Sequence, residues 1–156
     1  MENRILKYLR YGPQKQMVVI LAFAVQLGVR MALYVVPFYR ILRFLNRLQS
    51  MDLHGGKADF MKRLGPMDAT PDVLAWAVQS TSRFVPGSKC LCQAITGQIL
   101  MSLNGLSTEL RIGVQKLDTE PLSAHAWLIQ QGKVLIGNLP NLADYVPLPS
   151  LPGGPR

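Results

Sequence analysis

Cysteine and histidine are almost missing from this chain: its 156 residues hold two of each. Two cysteines cannot build a disulfide framework or a four-cysteine zinc site, so no metal or other cofactor is expected. Cys90 and Cys92 stand two residues apart, where a bridge would be strained, and a reducing compartment, the cytoplasm, is the expected location. Acidic residues are scarce too, nine against seventeen Lys and Arg, for a net charge of +8. Charged residues make up only 17% and hydrophobic ones 49%, which excludes an intrinsically disordered tail. The length is that of one domain with a real core, and it excludes two independent catalytic domains.

The charge is unevenly placed. Up to residue 64, eleven Lys and Arg meet three acidic residues; from residue 65 onward six meet six. The expected organisation is a basic helical region over 1–64, a charge-balanced core over 65–148 and a mobile Pro/Gly tail over 149–156.

Residues 17–36, MVVILAFAVQLGVRMALYVV, are long enough to cross a membrane. A central Arg30 opposes this by about 2.5 to 3.5 kcal/mol on insertion scales. Lys15, Gln26 and Arg30 fall within about 60° of one another on a helix, so the segment reads as a helix buried against partner helices with one polar stripe. It is too long for the apolar part of a secretory signal and lacks a cleavage site. Pro37 opens a second helix, with Phe38, Ile41, Leu42, Leu45 and Leu48 on one face and Arg40, Arg43, Asn46 and Arg47 on the others. That basic face reads as a solvated surface, as a docking surface for an acidic peptide or partner, or as a peripheral membrane contact. Nucleic acid is not an expected partner, because no recognition motif or aromatic platform accompanies the charge.

His54-Gly55-Gly56 breaks this helix, and His54 reads as a surface histidine. Residues 64–70 are a linker. Thr70 is the expected N-cap and Pro71 the first residue of a helix over 71–85 whose core face carries Val73, Leu74, Trp76, Ala77 and Val78. A turn at 86–89 leads into a helix beginning at Cys90, with Leu91, Ala94, Ile95, Ile99 and Leu103 at helical spacing and Asn104-Gly105 as its stop. Cys90 thus sits in a first turn, where free amides and the helix dipole favour a thiolate. Cys92, about 200° further round, reads as a small buried hydrophobe.

In the rest of the chain Leu110, Ile112 and Val114 alternate with polar residues as a half-buried strand, and a loop covers 117–123. AHAWLIQ, then Gln131-Gly132, then KVLIGN read as a hairpin. With a two-residue turn every pair sums to 263, setting Trp127 against Ile136, Ile129 against Val134 and His125 against Asn138. Directly opposed residues have Cβ atoms about 4.5 to 5.5 Å apart, so Asn138 could hold one ring nitrogen of His125 and leave the other to face a thiol. A cysteine at a helix start, a histidine on a strand and an amide across the hairpin are the set that thiol acyl transfer requires.

The segments PGSKCL (86–91), LSTELRIGV (106–114), AHAW (124–127) and VLIGN (134–138) resemble the lasso-peptide leader peptidases, bacterial cysteine peptidases of transglutaminase-like, papain-related fold. The resemblance covers roughly 65–148. It implies an α+β fold, with N-terminal helices packed on a small core in which the nucleophile helix lies against an antiparallel sheet. It also implies removal of the leader from a ribosomally made precursor peptide, with Cys90 as nucleophile and His125 as general base and acid. Asn138 stands where the family usually has aspartate, and Asp144 is the competing third residue. The partners implied are the precursor, a separate leader-binding recognition protein, for which residues 17–48 offer a docking face, and the ATP-dependent cyclase. The Cys90 amide is the expected oxyanion donor, with Gln93 too far round to add a second. Two alternatives share these residues: a transglutaminase-like amidase or acyltransferase, and an inert membrane-associated scaffold.

Overall fold

A computed structural model describes residues 12–51, 69–115 and 122–149. The break at His54, most of the 64–70 linker, most of the 117–123 loop and the tail beyond 149 lie outside the described residues. In chain order the elements are α1 (Pro13–Val35), α2 (Phe38–Met51), α3 (Pro71–Thr81), α4 (Cys90–Leu103), β1 (Glu109–Gln115), β2 (Ser123–Gln130), β3 (Lys133–Ile136), a 3-10 turn (Leu142–Asp144) and β4 (Val146–Pro147). Among the described residues, four helices and an antiparallel sheet in the order β3-β2-β1-β4 make the fold α+β, as expected.

Local chemistry explains most of the boundaries. α1 ends just before Pro37, because the residue ahead of a proline is pushed out of helical geometry. Thr70 caps α3 by accepting a hydrogen bond from the Val73 amide, with Pro71 at the first helical position. α3 stops at Thr81, four residues short of the expected Val85, because Val85, buried, already belongs to the turn into α4. α4 ends at Asn104, and Gly105 takes the left-handed conformation (φ +70°) that closes the helix.

α4 is buried beyond the apolar positions that its helical spacing marks. Thr96, Gly97, Gln98 and Ser102 are buried along with Ala94, Ile95, Leu100 and Met101, so the helix is enclosed on all sides. On one side Gly97 meets the sheet so closely that a Cβ there would lie 2.3 Å from Ile136 and 3.0 Å from Leu128. Roughly opposite at 100° per residue, Cys92 and Ile95 pack with Val29 of α1 and with Ile41 and Leu45 of α2. The sheet therefore covers one face of α4, and α1 and α2 cover the other.

The hairpin turn forms as expected at Gln131 (φ +47°) and Gly132 (φ +80°), with Gln130 opposite Lys133 and Ile129 opposite Val134. Beyond these two pairs the expected register fails. A bulge shifts the pairing so that Leu128, not Trp127, faces Ile136. The extra β3 residue at the bulge turns Ile136 to the α4 side with Leu128 and removes His125 from its place opposite Asn138.

Candidate active site

The turn that delivers Cys90 is fastened by α1. Gln26, fully buried, donates from Nε2 to Ser88 Oγ (2.7 Å) and accepts at Oε1 from Thr81 Oγ1 (2.7 Å). One helical turn on, Arg30 Nε donates to the Pro86 carbonyl (3.2 Å). Its guanidinium fills the space beside Gly87 (φ +71°), where a Cβ would lie 2.5 Å from Nη2. Gln93 Nε2 donates to the Ser88 carbonyl (3.3 Å) from the α4 side, so this amide holds the turn. The polar stripe legible on α1 thus serves the loop ahead of the candidate nucleophile.

Cys90 is the first residue of α4 and is half-buried. The N-cap, Lys89, makes no side-chain capping bond, and the first amides of a helix lack intrahelical acceptors, so donors of the kind an oxyanion needs lie in the turn that carries Cys90. Cys92 is buried, with its thiol on the Gln26 carbonyl (3.7 Å). Burial pushes the Cys92 thiol above its ordinary pKa, only partly countered by hydrogen bonds from Ser88 and Thr96 and by the charge of Arg30. It is the small buried residue that the sequence predicts.

His125 lies near the start of β2, opposite Gly113 of β1. Its Nε2 is 2.7 Å from the Gly137 carbonyl oxygen. A carbonyl only accepts, so Nε2 carries the proton and Nδ1 of the neutral ring is left as an acceptor. The ring stacks on Trp127 (centroids 6.2 Å apart, 15° between planes) and meets Tyr145 at 5.5 Å. Tyr145 is held in turn by Ser123 (3.1 Å between hydroxyls). Gly113 makes room for this arrangement, since a Cβ there would lie 2.7 Å from the Trp127 ring.

Asn138 is exposed, and among the described residues no hydrogen bond joins it to His125. Asp144 accepts from Gln115 Nε2 (3.4 Å) and sits beside the Tyr145 that packs on the imidazole. The chain after β3 thus folds back across His125, and the group it presents to Nε2 is a main-chain carbonyl. Side-chain reasoning could not find this contact; the glycine in VLIGN was its only trace in the sequence.

Cys90 and His125 share one end of the α/β layer. The short link from α4 to β1 starts β1 at the C-terminal end of α4, so β1 runs back along the helix and β2 runs parallel to it. Seven helical residues from Gly97 back to Cys90 span about 10 Å, and three strand residues from Leu128 back to His125 span about the same. Strand alternation turns Leu128 to α4 and His125 to the other face, at the rim of the sheet. No hydrogen bond joins Cys90 to His125 among the described residues. A separate groove of about 290 Å³, lined by Leu45, Gln98, Thr108, Ile112 and Leu148 among others, contains neither residue.

Comparison with curated proteins and with solved structures returns no match. The family description that matches is the transglutaminase-like superfamily, whose members are usually cysteine-dependent enzymes. That match runs over residues 32–150, most of the length and including all of α2, α3 and α4 with the whole sheet, and the chain belongs to this superfamily.

Proposed function

We propose that the chain is a cysteine peptidase that removes the leader segment from a ribosomally made lasso-peptide precursor, working with a separate leader-binding protein and ahead of the ATP-dependent cyclase. The observation that carries the reading is the Nε2–H bond from His125 to the Gly137 carbonyl. It supports the tautomer in which Nδ1 is free to take a thiol proton, and the reading assigns that proton to Cys90 at the start of α4.

In this mechanism the proton of Cys90 passes to His125 Nδ1, and the thiolate adds to the scissile carbonyl carbon. The oxyanion that forms is met by the first-turn amides of α4. Collapse of the tetrahedral adduct breaks the C–N bond, and the imidazolium gives its proton to the leaving amine, the new terminus of the core peptide. Water, deprotonated by His125, then adds to the thioester, and its breakdown returns the thiol and frees the leader as an acid. The Gly137 carbonyl holds the ring through both proton transfers, and its dipole stabilises the imidazolium less than a full carboxylate charge would.

The test is mass spectrometry of a lasso precursor incubated with this protein and a leader-binding partner. A single leader cut that is lost in Cys90→Ala and kept in Cys92→Ala supports the reading. A precursor left whole by the wild type although the partner binds would sink it, and an amine-linked in place of a hydrolysed product would make the protein an acyltransferase.

A further inference from the structure

The outer faces of α1 and α2 form a surface that the peptidase chemistry does not use. On α1, opposite its buried Val18, Ala22, Gln26 and Val29, lie Ile20, Phe23, Leu27, Met31, Tyr34 and Val35, all exposed. Ile20 is 68% and Val35 78% accessible. At 100° per residue this arc is about 120° wide, and from Met17 to Val35 it runs about 27 Å, bordered by Arg30, whose guanidinium lies 4.1 Å over the Tyr34 ring. An exposed apolar patch of more than a few hundred Å² marks an interaction site.

α2 presents the complement. Arg40, Arg43 and Arg47 are exposed and, with Tyr39 and Phe44, line a shallow recess. Arg40 Nε donates to the Tyr39 hydroxyl (3.0 Å), and the Arg43 guanidinium lies 6.0 Å from the Tyr39 ring. No carboxylate pairs with any of the three arginines among the described residues. α1 and α2 meet around Pro37, where Val29, Leu33, Val36 and Phe38 pack with Ile41 and Leu45, so the arginines of α2 follow directly on the apolar arc of α1.

We infer that this face rests on an anionic lipid surface, with α1 lying in the plane of the membrane. What favours lipid over a protein partner is the pairing of an uncharged apolar arc with neighbouring arginines that meet no carboxylate among the described residues. Guanidinium groups free of carboxylate partners, bordered by aromatic rings, suit the boundary between phosphate headgroups and acyl chains. Spanning is opposed from within, since inserting α1 would pull Gln26 and Arg30 from Ser88, Thr81 and Pro86. The inference stands whether or not the protein is a peptidase.

The test is flotation of the full chain with vesicles of phosphatidylcholine alone and of phosphatidylcholine mixed with phosphatidylglycerol. The protein should float with the mixed vesicles, and release at high salt should follow from screening of the arginines. Replacing Arg40, Arg43 and Arg47 by Gln should weaken partitioning on the order of 100-fold. Leu27→Asn with Met31→Asn should also weaken it, and both variants should keep wild-type circular dichroism because the residues are exposed. The inference is overturned by equal binding to the two vesicle types, by no binding to either, or by wild-type binding of folded variants. Capture of a leader-binding protein by this same face, without vesicle binding, would likewise overturn it and make the surface a protein interface.

Discussion

Replacing Gly137 with alanine should disable the site in two ways that can be measured separately. Gly137 has φ +81°, and a Cβ there would lie 2.6 Å from the Ala126 carbonyl oxygen and 2.9 Å from Trp127 Cβ. Both neighbours belong to β2, whose backbone is fixed by β1, so the clash must be relieved by moving residue 137. A non-glycine residue at positive φ costs about 1 to 3 kcal/mol. Overpacking of this kind adds about 1 to 3 kcal/mol. The expected loss is therefore about 2 to 6 kcal/mol, a large part of the 5 to 15 kcal/mol typical of a domain. The displaced carbonyl also releases His125 Nε2, so cleavage per folded molecule should collapse. Asn138→Ala is the control: that side chain is exposed and does not bond the imidazole, so stability should stay within about 0.5 kcal/mol and activity should persist. Urea unfolding measures the first effect. Precursor cleavage, read beside ¹⁵N resonances that report which ring nitrogen is protonated, measures the second. The reasoning is refuted if Gly137→Ala folds and cleaves like wild type. It is also refuted if Asn138→Ala keeps its fold but loses the Nε2–H tautomer and turnover, since removing an orienting side chain from a triad costs about 10⁴ in rate.

Two further perturbations test the support around Cys90. Gln26→Leu removes the bonds to Ser88 and Thr81; Thr81 keeps its bonds to the Ala77 and Val78 carbonyls, but Ser88 loses its donor. A loss of about 1 to 3 kcal/mol in urea unfolding should be accompanied by slower cleavage, because the turn ahead of Cys90 loosens. The raised pKa of Cys92 gives a stability signature at alkaline pH. The unfolded thiol ionises first, so stability is full below about pH 8.5 and falls above it, by at most about 1.4 kcal/mol per pH unit. Cys92→Val should remove that slope in denaturant titrations repeated across pH, and an identical slope in both proteins would contradict the burial argument.

What the sequence revealed depended on how local each signal was. Thr70 with Pro71, Asn104 with Gly105 and Gln131 with Gly132 set their turns through neighbouring residues, and all three were legible. The bulge between Leu128 and Ile129 had no such mark, because neither residue nor its partners include the glycine or proline that usually betrays one. One shifted residue was enough to replace the Asn138 side chain by the Gly137 carbonyl beside His125. The polar stripe on α1 was visible, but its partners lie 55 to 62 positions away, so the sequence could show that Gln26 and Arg30 needed partners without naming them. On α4 the apolar spacing marked Leu91, Ala94, Ile95, Ile99 and Leu103, whereas enclosure by two layers also buries Thr96, Gln98 and Ser102.

The central claim, that Cys90 attacks the peptide, is tested most directly by intact mass analysis of the protein quenched in acid during precursor cleavage. The account predicts an adduct with the mass of the leader acyl group, mapped to Cys90, absent in Cys90→Ala and unaffected by Cys92→Val. An adduct on Cys92, or cleavage that continues in Cys90→Ala, would contradict it.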